Sequence, residues 1–233
     1  MKEFVIETRK LTKCYGEQTV VKEIDLHVRK GEIYGLLGRN GAGKTTLMKM
    51  ILGLTPETSG EVELFGRKLR GQEKQIYPQI GAMIEAPGFY PNLTGTENLE
   101  IFARLKGLKR EQTVKRALAV VGLPYQDKKL FGNYSLGMKQ KVYLIAAFLS
   151  GAGNLILDEP FNGLDPESVA TLKKLLIEHR DAGNLVLFSA HNLDLVANFC
   201  DDVVFIDKHR KIFQLENPRD FAQLESAFFQ NCV

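Results

Sequence analysis

Cysteine, net charge and long apolar runs are all in short supply, and each shortage removes a class of function. The cysteines Cys14, Cys200 and Cys232 are odd in number and lack metal-ligand spacing. That argues against a disulfide framework or a zinc site and for free thiols in a reducing compartment. The 31 basic side chains nearly balance 28 acidic ones, and a formal charge of +3 supplies no phosphate-tracking stripe for nucleic acid. Met1 to Lys10 alternates charges where a secretory leader would join a basic start to an apolar run. The longest apolar stretch, Leu144 to Leu157, is interrupted by Ser150, Gly151, Gly153 and Asn154 and is too short to span a bilayer. The expectation is a soluble chain.

What is present is a composition that can build a core: 233 residues, 44% of them hydrophobic and 25% charged, suit one domain with room for a subdomain. Phe4 to Thr8, Ile24 to Val28 and the stretch around Val62 and Leu64 alternate apolar and polar residues, as half-buried antiparallel strands do. Ile33 to Leu37 is continuously apolar, the mark of a strand buried on both faces, and runs into a glycine-rich turn and a helical stretch, Thr45 to Leu52. Leu155 to Leu157, Leu185 to Phe188 and Val203 to Ile206 are further apolar runs separated by helical patterns. They imply an α/β core with a mainly parallel sheet. Between Glu97 and Leu149 strand signals vanish and Val114, Ala117, Leu118 and Val121 fall at helical spacing, so a helical subdomain is inserted. The expected division is a core over about 1–84 and 151–215, a helical subdomain over 85–150 and a C-terminal helix over 216–233. Arg219 to Asn231, with Phe221, Leu224, Phe228 and Phe229, reads as a helix packing on its own domain, or else on a partner.

Gly38-Arg39-Asn40-Gly41-Ala42-Gly43-Lys44-Thr45 fits the phosphate-loop pattern, with a strand before it and a helix after it. Glycines let successive N–H groups curl toward phosphate oxygens, and the helix N-terminus adds positive potential. Lys44 reaches the outer phosphates and Thr45, followed by Thr46, offers a hydroxyl to Mg²⁺. The apolar strand Leu155 to Leu157 ends in Asp158 and Glu159, which puts one carboxylate where it can hold Mg²⁺ and the next against an attacking water. An Asp-Glu-Pro step alone is often a strand-ending turn; the phosphate loop upstream tips it to function.

These residues, in this order, resemble the nucleotide-binding subunit of ATP-binding cassette transporters over roughly Leu11 to Leu215. Ser135-Leu136-Gly137-Met138-Lys139-Gln140 looks like that family's signature sequence, with Met138 and Lys139 replacing commoner residues. The resemblance implies a P-loop core with an N-terminal antiparallel subdomain and two subunits closing head to tail on two ATP molecules. In that arrangement Ser135, Gly137, Met138 and Gln140 face the nucleotide held by the opposite subunit, a second copy or a homologous cassette. It also implies that Tyr15 stacks on adenine, that Asn162 to Asp165 cross the dimer interface, and that His191 senses the γ-phosphate. Glu159, His191 and Lys44 are then the catalytic set. The plain readings are a turn tyrosine at Tyr15, and N-caps at Ser135 and Asp165. His27, His179 and His209 lie outside every motif.

One position departs from the family pattern. Where a glutamine usually touches Mg²⁺ and signals to the membrane subunit, this chain has Glu85, which adds negative charge and cannot donate a hydrogen bond. Glu85, the block through Thr94 and the Tyr134 to Gln140 stretch look like the bacitracin-resistance and lantibiotic-immunity branch, which removes antimicrobial peptides from the membrane. A transmembrane permease is the implied partner, with no nucleic acid and no direct membrane contact, and the implied location is the cytoplasmic face of the cell membrane. A general drug or lipid exporter, a non-transport ATPase acting on DNA or ribosomes, and a cassette that binds ATP without splitting it are the other readings.

Overall fold

In the computed structural model, which describes residues 4–85, 88–108, 110–150 and 152–232, the alternating N-terminal pattern forms β1 (Phe4–Tyr15) and β2 (Gln18–Arg29). Both are longer than their alternation suggests. The β1–β2 register shifts between Thr8 and Leu11 and again on either side of Lys13, so the two-residue period breaks in mid-strand. The continuously apolar run becomes β3 (Ile33–Leu37), buried at every residue, and the phosphate-loop pattern leads from it into α1 (Lys44–Ile51). β4 (Ser59–Leu64) and β5 (Arg67–Lys68) complete a four-stranded antiparallel sheet in the order β2-β1-β4-β5.

After the short α2 (Glu73–Ile76), β6 (Ile80–Met83) adds a strand that four residues including Gly81 and Ala82 hardly announce. The helices α3 (Gly95–Leu105), α4 (Arg110–Val120) and α5 (Leu136–Leu149) follow, within the stretch expected to be helical. Thr94 starts α3 with a reciprocal cap: its hydroxyl accepts from the Glu97 N–H while its own N–H donates to the Glu97 carboxylate. The chain then returns through β7 (Asn154–Leu157), α6 (Pro166–Asp181), β8 (Leu185–Ala190), α7 (Leu193–Ala197), β9 (Asp202–Asp207), β10 (Arg210–Glu216) and α8 (Phe221–Cys232).

The second sheet has the order β10-β9-β3-β8-β7-β6, parallel except for the β10–β9 pair. Alternate residues of its strands feed two cores. Ile33, Leu37, Leu155, Leu157, Val186 and Phe188 join one with the helices, and Tyr34, Leu36, Ile156, Leu185 and Leu187 join the other with α1 and the antiparallel sheet. Strands buried on both faces therefore lose the apolar–polar alternation while keeping the alternation of direction. β3, β6, β7 and β8 all end at one edge, and that edge receives every catalytic candidate. α8 packs on its own chain: Leu224 is fully buried, and the Phe228 ring lies 5.6 Å from Phe205, itself stacked on Phe213 at 4.3 Å. Cys14 and Cys200 are free thiols, and the Cys232 side chain lies outside the described residues. Among the described residues no helix is long and apolar enough to cross a membrane.

Candidate functional site: a nucleotide cleft at the edge of the parallel sheet

The loop between β3 and α1 can take its shape only with glycine at a key point. Gly43 has φ of 100°, and a β-carbon there would lie 2.5 Å from the Val20 carbonyl oxygen of β2. Gly43 is also the N-cap of α1 and provides no side-chain cap, which leaves that helix end suited to an anion. Lys44 is buried and folds back into its own loop, where its ammonium donates to the carbonyls of Gly38 (2.7 Å) and Arg39 (3.1 Å). It stands 3.7 Å from the Glu159 carboxylate.

Thr45, on the first turn of α1, donates its hydroxyl to Asp158 at 2.8 Å. The other Asp158 oxygen accepts from Ser189 at 2.6 Å, and the same serine oxygen accepts the Glu159 N–H at 2.8 Å. Glu159 has φ of 47°, an uncommon conformation for a residue with a side chain, and its carboxylate meets His191 Nδ1 at 2.8 Å. Two strand ends, of β7 and β8, and one helix start thus converge on one line of polar atoms. Residues 40–46 with Val20, Glu159, Asn162 and His191 line a cleft of about 360 Å³ beside it.

Ser189 was not singled out from sequence. It is the polar residue in the otherwise apolar β8 run, and its burial at 1% exposed is what forces it into hydrogen bonds with both carboxylate residues.

Among the described residues the signature stretch meets this cleft only from behind, through Gln140. Ser135 caps α5, accepting the Met138 N–H at 3.2 Å, and both Ser135 and Leu136 are exposed. Ser135, Gly137 and Met138 are not among the described residues lining the cleft. A β-carbon on Gly137 would lie 2.6 Å from the Gly163 carbonyl oxygen, so the start of α5 packs tightly on the loop before α6. Gln140 turns inward: it is buried and its amide donates to the Glu159 carbonyl at 2.9 Å within its own chain. Asp165 caps α6 by accepting the Ser168 N–H at 2.8 Å, and that bond lowers its carboxyl pKa.

Glu85 bonds α1 one turn beyond the Thr45–Asp158 pair. Its carboxylate accepts from Lys49, one turn along α1 from Thr45, at 2.6 Å, and it is held at φ of 55°. Ala86 and Pro87, which continue its loop, lie outside the described residues. Tyr15 is half exposed at the end of the β1–β2 hairpin, across Gln18.

The sequence profile of the family described as ABC transporter matches residues 21–162. The chain is 50% identical over 201 residues to the bacitracin transport ATP-binding protein BcrA of Enterococcus faecalis, covering 85% of this chain and 65% of that protein. It is 34% identical over 212 residues to the lantibiotic transport ATP-binding protein SrtF of Streptococcus pyogenes, covering 91% of each. Against the first relative it therefore spans a little under two thirds of the length. A solved ATP binding subunit of an ABC transporter superposes with a TM-score of 0.84 at 28% identity, covering 97% of this chain and 99% of that one. With fold, phosphate loop and profile in agreement, the chain belongs to the ABC transporter family as one of its ATP-binding cassettes.

Proposed function

We propose that this chain hydrolyses ATP as one half of a head-to-tail pair and so drives a membrane permease that clears peptide antibiotics of the bacitracin or lantibiotic type. The observation that carries the catalytic part is the line Thr45–Asp158–Ser189–Glu159–His191 at the edge of the parallel sheet. Glu159 is the base that takes a proton from the attacking water, and His191, bonded to its other oxygen, orients that carboxylate and the water. Lys44 now rests on loop carbonyls, and phosphate oxygens replace those acceptors when ATP enters. Its move also frees Glu159 from a neighbouring cation. The Thr45 hydroxyl and the Asp158 carboxylate are adjacent hard oxygen donors, which fits Mg²⁺. Bound there, the ion would neutralise charge developing on the phosphates.

The pairing is supported by the exposed start of α5, a helix N-terminus whose Ser135, Gly137 and Met138 do not, among the described residues, line the cleft of their own chain. Mixing two inert variants tests it. Lys44→Met removes one chain's phosphate grip and Ser135→Arg blocks the other's signature end, so their heterodimer regains one intact composite site. Recovered ATPase activity on mixing is expected; none at any ratio would sink the pairing.

The cargo and the partner are supported by the relatives, named for bacitracin and lantibiotic transport. In this reading the chain sits on the inner face of the cell membrane, held there by the permease, with Glu85 in the loop that transmits motion. The test is ATPase activity of the chain co-purified with its permease in lipid vesicles, with bacitracin or a lantibiotic added. Stimulation by either supports immunity, whereas stimulation only by unrelated drugs or lipids would favour a general exporter.

A further inference from the structure

We propose that Lys13 is a positioning residue that holds the Tyr15 ring ready for adenine and so sets how much the base contributes to ATP affinity. The proposal rests on the reading of Tyr15 as the adenine-stacking ring. Lys13 and Tyr15 are two apart near the end of β1. Lys13 is only 9% exposed, and its ammonium donates to the Pro56 carbonyl at 2.7 Å. Among the described residues it makes no ion pair, which is unusual for a buried lysine. That charge also lies over the Tyr15 ring, whose centroid is 4.8 Å away.

That geometry does two things. The cation sits over one face of the ring and attracts its π-density, which fixes the ring's orientation while the side chain stays 52% exposed for a flat group to stack on. Pro56 belongs to the loop leaving α1, the helix that begins at the phosphate loop, so the ammonium ties the base platform to the element that grips the phosphates. The hairpin does not depend on Lys13 for its place. Cys14 N–H donates to the Thr58 hydroxyl at 2.9 Å, and Thr58 N–H donates to the Thr12 carbonyl at 2.9 Å. Removing the charge therefore loosens the ring more than the loop.

The experiment compares binding of Mg²⁺-ATP with binding of Mg²⁺-inorganic triphosphate by calorimetry, for the parent chain, Lys13→Met, Tyr15→Ala and the double variant. Lys13→Gln, which keeps a donor for Pro56, serves if the methionine variant does not fold. An ordered ring saves the cost of immobilising a side chain on binding, so Lys13→Met is expected to weaken ATP roughly two- to ten-fold while leaving triphosphate affinity unchanged. Tyr15→Ala is expected to weaken ATP at least as much, with no further loss in the double variant. Because the chain has no tryptophan, Tyr15→Trp supplies a single fluorophore at the platform. Its quenching by ATP should decline when Lys13 is also replaced. Equal losses for ATP and triphosphate, or additive losses in the double variant, would overturn the role of Lys13. Unchanged ATP affinity in Tyr15→Ala would instead overturn the adenine reading beneath it.

Discussion

The edge of the parallel sheet and the start of α5 are both assigned to the same reaction, yet they are built in opposite ways. At the sheet edge each polar group is already engaged: Asp158 holds Thr45 and Ser189, Glu159 holds His191, and Lys44 rests on the loop carbonyls. At α5 the capping hydroxyl of Ser135 and the Leu136 side chain are exposed. A site that must position a water needs rigid, mutually bonded groups, whereas a surface that must meet another subunit has to remain open. Gln140 is the bridge, since it sits in α5 and bonds the backbone of Glu159.

The largest expected effect breaks the sheet-edge side alone. Glu159→Gln keeps the shape and a hydrogen bond to His191 but removes the base, so phosphate release should fall by roughly 10²- to 10⁴-fold with ATP affinity retained. Normal turnover in that variant would end the assignment of Glu159 as base. Ser189→Ala comes next. It strips the Asp158 carboxylate of a donor and leaves the Glu159 N–H without its acceptor in a partly buried place, a loss of about 1.5–3 kcal/mol for a bond to a charged group. A lower melting temperature together with slower phosphate release is expected.

The parallel sheet was legible because its strands are short, uninterrupted apolar runs, and Lys44, Asp158 and Glu159 follow from the glycine-rich end of one and the acidic end of another. β6 was not legible, because Gly81 and Ala82 at its centre have low strand propensity although Ile80 to Ile84 is apolar throughout, and it forms by pairing with β7. Ser189 and Gln140 show a similar limit in the site. Ser189 is a polar residue inside an apolar stretch and Gln140 sits between Lys139 and Lys141, and nothing in either setting says which distant group the side chain will bond. Lys49 was hidden because a lysine on an amphipathic helix reads as a solvated surface charge, while its partner Glu85 lies 36 residues away along the chain.

Gln140→Leu tests the bridge and should act moderately. One buried hydrogen bond between neutral groups is worth about 1 kcal/mol, so stability drops slightly. The specific signature is an altered ATP dependence of pairing, followed by sedimentation, because the start of α5 is no longer tied to the catalytic strand end. A variant that loses stability but pairs as before would separate the two regions after all.

The smallest effect on the isolated chain is expected at Glu85, and it is the one that reaches outward. The Lys49–Glu85 pair is short, but the Glu85 side chain is 60% exposed, so solvent screening limits it to about 0.2–1 kcal/mol and Glu85→Gln should barely move the melting temperature. Glutamine restores a donor and removes a negative charge near the phosphates, leaving Lys49 without its counter-charge one turn from Thr45. The expected result is unchanged ATP binding with an altered Mg²⁺ requirement for binding, and altered stimulation of turnover by the permease's cargo. Lys49→Met releases the same carboxylate with its charge kept, so the Mg²⁺ requirement should shift in the opposite direction. If both variants match the parent in the Mg²⁺ titration and in stimulated turnover, the carboxylate at this position has no bearing on coupling.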